Sequence, residues 1–96
     1  MAADKALALY WLPRATGLLR VGFCVGKRLG KAVRRNRIKR LLRESWRGLA
    51  VNAKTPADLV FMARSSGVQF SLAEWTAVMR GLLAKGGMIS AGSDLG

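Results

Sequence analysis

Between Lys27 and Arg47 the chain places ten cations, Lys27, Arg28, Lys31, Arg34, Arg35, Arg37, Lys39, Arg40, Arg43 and Arg47, against one acid, Glu44. The chemistry open to such a stretch is phosphate binding. Seven of the ten are arginine, whose planar fork takes phosphate oxygens in pairs and stacks on bases, where lysine offers a point charge. The stretch carries +9 of the +12 on the whole chain, whose pI is near 11.6. Such a field favours a polyanion, either nucleic acid or an anionic membrane surface. Repulsion among the cations costs stability, and a merely solvated face could have drawn on Glu–Lys pairs instead.

Other chemistries lack their residues. There is no histidine, so no imidazole base and no His-ligated metal. Cys24 is alone, which excludes an internal disulfide and a cysteine-based zinc cluster, and a single thiol fits a reducing cytoplasm. The carboxylates Asp4, Glu44, Asp58, Glu74 and Asp94 are scattered, with no acid–base pair among them. Gly26, Gly30 and Lys31 approach a P-loop, but only three residues separate the glycines and Ala32 stands where Ser or Thr should hold magnesium. A self-sufficient enzyme is not expected.

At 96 residues and 51% apolar, the chain fits one small domain with a modest core. Ala6 to Leu12 and Arg20 to Val25 read as two strands joined through Pro13 and Gly17. Gly26 to Gly30 reads as loop. From about Lys31 to Leu49 the period turns helical, with Ile38, Leu41, Leu42, Ser45 and Leu49 on one face, Trp46 at its edge, and Asn36, Arg40, Arg43 and Arg47 opposite. Gly48 and Asn52 supply stop signals. Asp58 to Arg64 is a third strand, whose unbroken run Leu59–Met62 predicts cover on both faces. Ser71 and Glu74 have capping-box spacing ahead of the stripe Leu72, Trp75, Val78, Met79, Leu82 and Leu83, which Gly86 and Gly87 end. The fold class is α+β, a small sheet covered by helices in the order β-β-α-β-α, with 1–85 as the domain and 86–96 as a flexible tail.

This organisation argues against two alternatives. A membrane-surface helix would need its apolar face free for lipid, and here that face is the natural cover of the sheet. The run Ala6–Leu12 is far below the ~20 residues of a membrane span, and its flanks do not suit a signal peptide. A helix-turn-helix needs two adjacent helices, whereas a strand and a glycine loop precede this one.

The stretch RVGFCVGKRLGKAVRRNRIKRLLRE, Arg20 to Glu44, closely resembles the signature of the bacterial ribonuclease P protein family, centred on Arg35, Asn36 and Arg37 and continuing through Ile38, Lys39 and Arg40. The match runs upstream through LALYWL and downstream through DLVFMAR and the final helix, covering 5–85. The resemblance implies a left-handed β-α-β crossover, against the general rule. It implies an accessory subunit of an endoribonuclease whose RNA, with magnesium, removes the 5′ leader of precursor tRNA. The partners implied are that RNA and precursor tRNA, in the cytoplasm, with no cofactor held by the protein alone, no membrane and no obligate protein partner.

Carried over residue by residue, Arg34, Arg35, Asn36, Arg37, Lys39, Arg40, Arg43 and Arg47 lie on the RNA-binding helix, with Lys27, Arg28 and Lys31 in the loop ahead. Tyr10, Cys24 and Met62 match the sheet floor where the leader lies, although ordinary packing accounts equally for Cys24 and Met62. Cys24 and Gly26 stand where family members commonly carry hydroxyls. Family members also carry a helix with two aromatics ahead of the first strand. This chain begins close to that strand, so either its true start lies further upstream or it lacks part of the cleft wall that helix supplies. A general basic RNA-binding or ribosomal protein is the alternative to a processing subunit.

Overall fold

The computed structural model describes residues 1–49 and 56–87. Four strands, β1 (Ala2–Ala3), β2 (Leu7–Pro13), β3 (Arg20–Cys24) and β4 (Ala57–Ala63), form one sheet with two helices, α1 (Ala32–Arg47) and α2 (Leu72–Lys85). Short 3-10 turns at Lys27–Leu29 and Ser65–Gly67 lead toward the helices. The order of elements follows the sequence pattern, with β1 as an addition. Two alanines carry no pattern from which a strand could be read, and β1 exists only through its pairing with Leu9 and Ala8.

The sheet order is β1-β2-β4-β3. β2 and β3, which follow one another in sequence, therefore do not pair, because β4 enters between them. It runs antiparallel to β2 and parallel to β3. Parallel neighbours need a crossover, and α1 supplies it.

β4 departs from the sequence expectation. Leu59, Phe61 and Ala63 are buried, but Val60 and Met62 are each 40% exposed. Both helices pack on one side, where Leu59 and Phe61 join Ile38, Leu42, Trp75 and Met79 in the core. The unbroken apolar run is thus not the mark of a strand covered twice. Its second face is apolar and bare, which makes it a candidate surface.

The covered side is close-packed around Phe61, whose ring stacks on Phe23 at 5.8 Å and meets Trp46 edge-on at 5.9 Å. α1 buries Ile38, Leu42 and Ser45, with Leu41, Trp46 and Leu49 half-buried, the face its periodicity predicts. Ser45 is polar within this seam and is answered across it by a 3.0 Å hydrogen bond with the Thr76 hydroxyl of α2. Such pairing removes most of the cost of a buried hydroxyl.

α2 begins with the capping box that its spacing predicts. The Glu74 N–H donates to Ser71 Oγ at 3.3 Å, and the Ser71 N–H donates to Glu74 Oε1 at 3.0 Å. Trp75, Met79, Leu82 and Leu83 are buried and Val78 half-buried, whereas Leu72 stays 40% exposed. Gly48 and Gly86 cap the two helices. Asn52 and 88–96 of the expected tail lie outside the described residues.

Gly67 is dictated by packing. A Cβ there would stand 2.5 Å from Cη2 of Trp75 and 3.0 Å from the Ala6 methyl. Gly67→Ala is expected to cost about 1–3 kcal/mol of stability through overpacking. Thermal melting checks this, and an unchanged midpoint would mean that the Trp75 ring yields freely.

Candidate nucleic-acid interface

The register of the sheet builds its open face as three rows. Leu12, Asp58 and Arg20 form one, Tyr10, Val60 and Gly22 the next, and Met62 and Cys24, beside the buried Ala8, the third. Tyr10 is 40% exposed, and Cys24 is also exposed, so the three predicted floor residues share one surface in adjacent rows. Val60 and Gly22 complete that floor and were not singled out from the sequence, although alternation within β4 could have flagged Val60. A Cβ on Gly22 would meet nothing within 4 Å, so the middle of the floor is open.

One end of the floor is charged. Arg20 grips Asp58 through two bonds, Nε to Oδ1 at 2.8 Å and Nη2 to Oδ2 at 3.1 Å, while Arg14 Nε stands 3.2 Å from Oδ1. The bidentate bond from Arg20, aided by the charges of Arg14 and Arg20, holds the Asp58 carboxyl below the usual carboxylate range despite some loss of hydration. Because Arg20 and Asp58 are register partners, the pair also pins β3 to β4.

α1 carries its cations around three sides. Asn36, Arg40, Arg43 and Arg47 are exposed on the outward face, as the periodicity predicts. Lys27 and Arg28 are exposed on the 3-10 turn that follows Cys24. Arg35, Asn36 and Arg37 point three ways. Arg35 is half-buried and donates from Nε to the Gly30 carbonyl at 3.2 Å, Asn36 faces outward, and Arg37 lies on the flank toward Val68 and Gln69 with Lys31 and Arg34. Lys39 is half-buried on the flank of Arg35.

Gly30 is needed for this arrangement. Its φ is +123°, and a Cβ would stand 2.8 Å from Cδ of Arg34. The helix start itself is electrostatically unfavourable. Its first turn holds no acid, and Lys31 at the N-cap makes no side-chain cap. Cations at that end oppose the helix dipole. Among the described residues both ion pairs fall on Asp58, so the charge of α1 is left uncompensated within the fold.

The family model described as Ribonuclease P matches residues 1–86. The chain belongs to the ribonuclease P protein family. A ribonuclease P protein component from a Thermoanaerobacter species is 39% identical over 83 residues, covering 86% of this chain and 72% of that protein. Another, from Alkaliphilus oremlandii, is 40% identical over 88 residues, covering 92% and 77%. Among solved structures, the ribonuclease P protein of Staphylococcus aureus superposes with a TM-score of 0.77 at 24% identity, covering 91% of this chain and 80% of that one. The Thermotoga maritima protein gives 0.74 at 21%, covering 88% and 80%. At these identities the two structures speak for the fold.

Membership makes this chain the protein subunit of ribonuclease P, with its role in tRNA 5′ processing, and implies an RNA partner in the holoenzyme. The uncompensated cations of α1 are the surface of this ribonuclease P protein best suited to that RNA.

Two outcomes are expected. Arg40→Ala or Arg43→Ala weakens binding to the ribonuclease P RNA and lowers the salt dependence by roughly 0.7–0.9 units of log–log slope per lost phosphate contact. An unchanged slope would make those arginines solvated bystanders. Asp58→Asn lowers the melting temperature at neutral pH. A carboxyl held low in the folded state stabilises fully above its unfolded value of about 3.9, and the contribution vanishes as pH falls through the folded value. The gap between wild type and variant therefore closes in acid, which melting curves across that range check.

Proposed function

We propose that the protein promotes cleavage by holding two RNAs on two surfaces, the catalytic RNA on the cations of α1 and the 5′ leader of precursor tRNA on the open sheet face. The observation that carries this reading is the bare row of Tyr10, Val60 and Gly22, an aromatic beside an uncovered floor. An unpaired base can stack on the Tyr10 ring, with Met62 and Cys24 alongside, for roughly 1–3 kcal/mol per base. Lys27 and Arg28 follow Cys24 within four residues, so cations begin where this floor ends. A leader lying there can keep its phosphates near positive charge while its bases face the sheet.

In this reading the protein supplies affinity and position, and the RNA supplies the chemistry. Among the described residues no three His, Cys, Asp or Glu side chains come together as metal ligands. Among the described residues, that donor set offers no cluster suited to a resident magnesium ion. Magnesium belongs to the RNA in this reading. No helix among the described residues is long and apolar enough to cross a membrane. The compartment proposed is the cytoplasm, where precursor tRNA is made.

Tyr10→Ala tests the division of labour. In holoenzyme assembled with a matching catalytic RNA, it is expected to weaken leader-bearing precursor by about tenfold. Mature tRNA should bind as before. Equal losses for both would reduce Tyr10 to a packing residue and remove the leader from this face.

A further inference from the structure

On the flank of α1 that looks toward Val68 and Gln69 lies a trench of about 660 Å³, separate from the open sheet face. Its lining is apolar at Leu41 and Val68, over the almost wholly buried Ile38, and cationic at Lys31, Arg34 and Arg37. No carboxylate lines it, so a cationic ligand has nothing to bind. An apolar lining beside three cations matches a nucleotide, whose base is flat and apolar on its faces and whose phosphates are anionic. The volume lies within the range of small-molecule sites.

A second observation comes from Val33. It also lines the trench and is 84% exposed, more so than any other large hydrophobic among the described residues. A branched apolar side chain gains nothing by standing in water among cations. Over a bound base it would lose that exposure. Phosphates of a duplex alone would leave both that lining and Val33 wet, whereas single-stranded loops and bulges of RNA present unstacked bases to proteins. Gly30 fits the same purpose, since its missing Cβ lets the stem of Arg34 lie across one end of the trench.

We propose that this trench seats one unstacked nucleotide of the ribonuclease P RNA, its base against Leu41, Val68 and Val33 and its flanking phosphates on Lys31, Arg34 and Arg37. The site lies on the helical layer, away from the sheet face assigned to the leader, so its occupant is the other RNA of the holoenzyme. The inference rests on the RNA partner that family membership implies and not on leader binding. It survives if the Tyr10 test fails.

Gln69 is exposed at the trench wall, so Gln69→Trp fills the space without touching the core. In reconstitution with a matching ribonuclease P RNA, it is expected to weaken RNA affinity about tenfold while leaving the preference for precursor over mature tRNA intact. Val33→Ser, at a side chain already in water, is expected to weaken the RNA about threefold with no change in melting temperature. Chemical probing of bases should find one unpaired nucleotide of the RNA subunit protected by the wild-type protein and reactive again with Gln69→Trp. Unchanged affinity in both variants would overturn the proposal. So would a protected base found only in the precursor, because the trench would then be a substrate site.

Discussion

The structure depends on a single seam, the burial of one face of α1 between the sheet and α2. Taken alone, this helix opposes its own formation. Like charges recur at three- and four-residue spacing, from Lys31 and Arg34 through Arg43 and Arg47, and each such pair costs a few tenths of a kcal/mol. Its first turn adds cations where the dipole favours anions. Against this, Ile38 and Leu42 are almost wholly buried, each contributing about 1.5–3 kcal/mol relative to exposure. Two such side chains outweigh several repulsive pairs. Tertiary packing is therefore what keeps so dense a field of cations in helical order.

The same seam explains why the charge remains available. A fold that neutralised these cations with carboxylates would stabilise the helix and lose its concentration of positive charge. Here Asp58, the one carboxylate in ion pairs among the described residues, is spent on Arg20 and Arg14 at the end of the sheet. Its pair with Arg20 joins register partners of β3 and β4, the register that sets Cys24 beside Met62, while the pairing of β2 with β4 brings Tyr10 to the same face. Register and surface chemistry are thus coupled. A one-residue slip of β4 would turn Val60 and Met62 inward and Phe61 out.

Small residues matter where neighbouring groups need their space. Gly67 makes room for the Trp75 ring, and Gly30 makes room for the stem of Arg34 while its carbonyl receives Arg35. The first serves the core and the second the cationic turn ahead of α1. Both follow from missing Cβ atoms, and neither can be assigned its role from its neighbours in sequence.

Local pattern was enough for every element but β1, because helix and strand periods, the Ser71–Glu74 box and the glycine stops are short-range properties of the chain. The excess of arginine between Lys27 and Arg47 likewise pointed to a polyanionic partner without help from the fold, and the motif around Arg35–Arg37 carried the family resemblance. Long-range facts lay beyond that reach. That β4 parts β2 from β3, that its second face is bare, and that Val60 and Gly22 complete the floor all depend on which strands meet. Strand pairing joins residues dozens of positions apart, and an apolar run reads the same whether it is covered once or twice. The trench beside α1 is a further case, since Val68 and Gln69 reach Arg34 and Arg37 only when α2 closes on the sheet. Residue type and spacing determined the kind of partner this protein takes, and the meeting of distant segments decided where on its surface such a partner can bind.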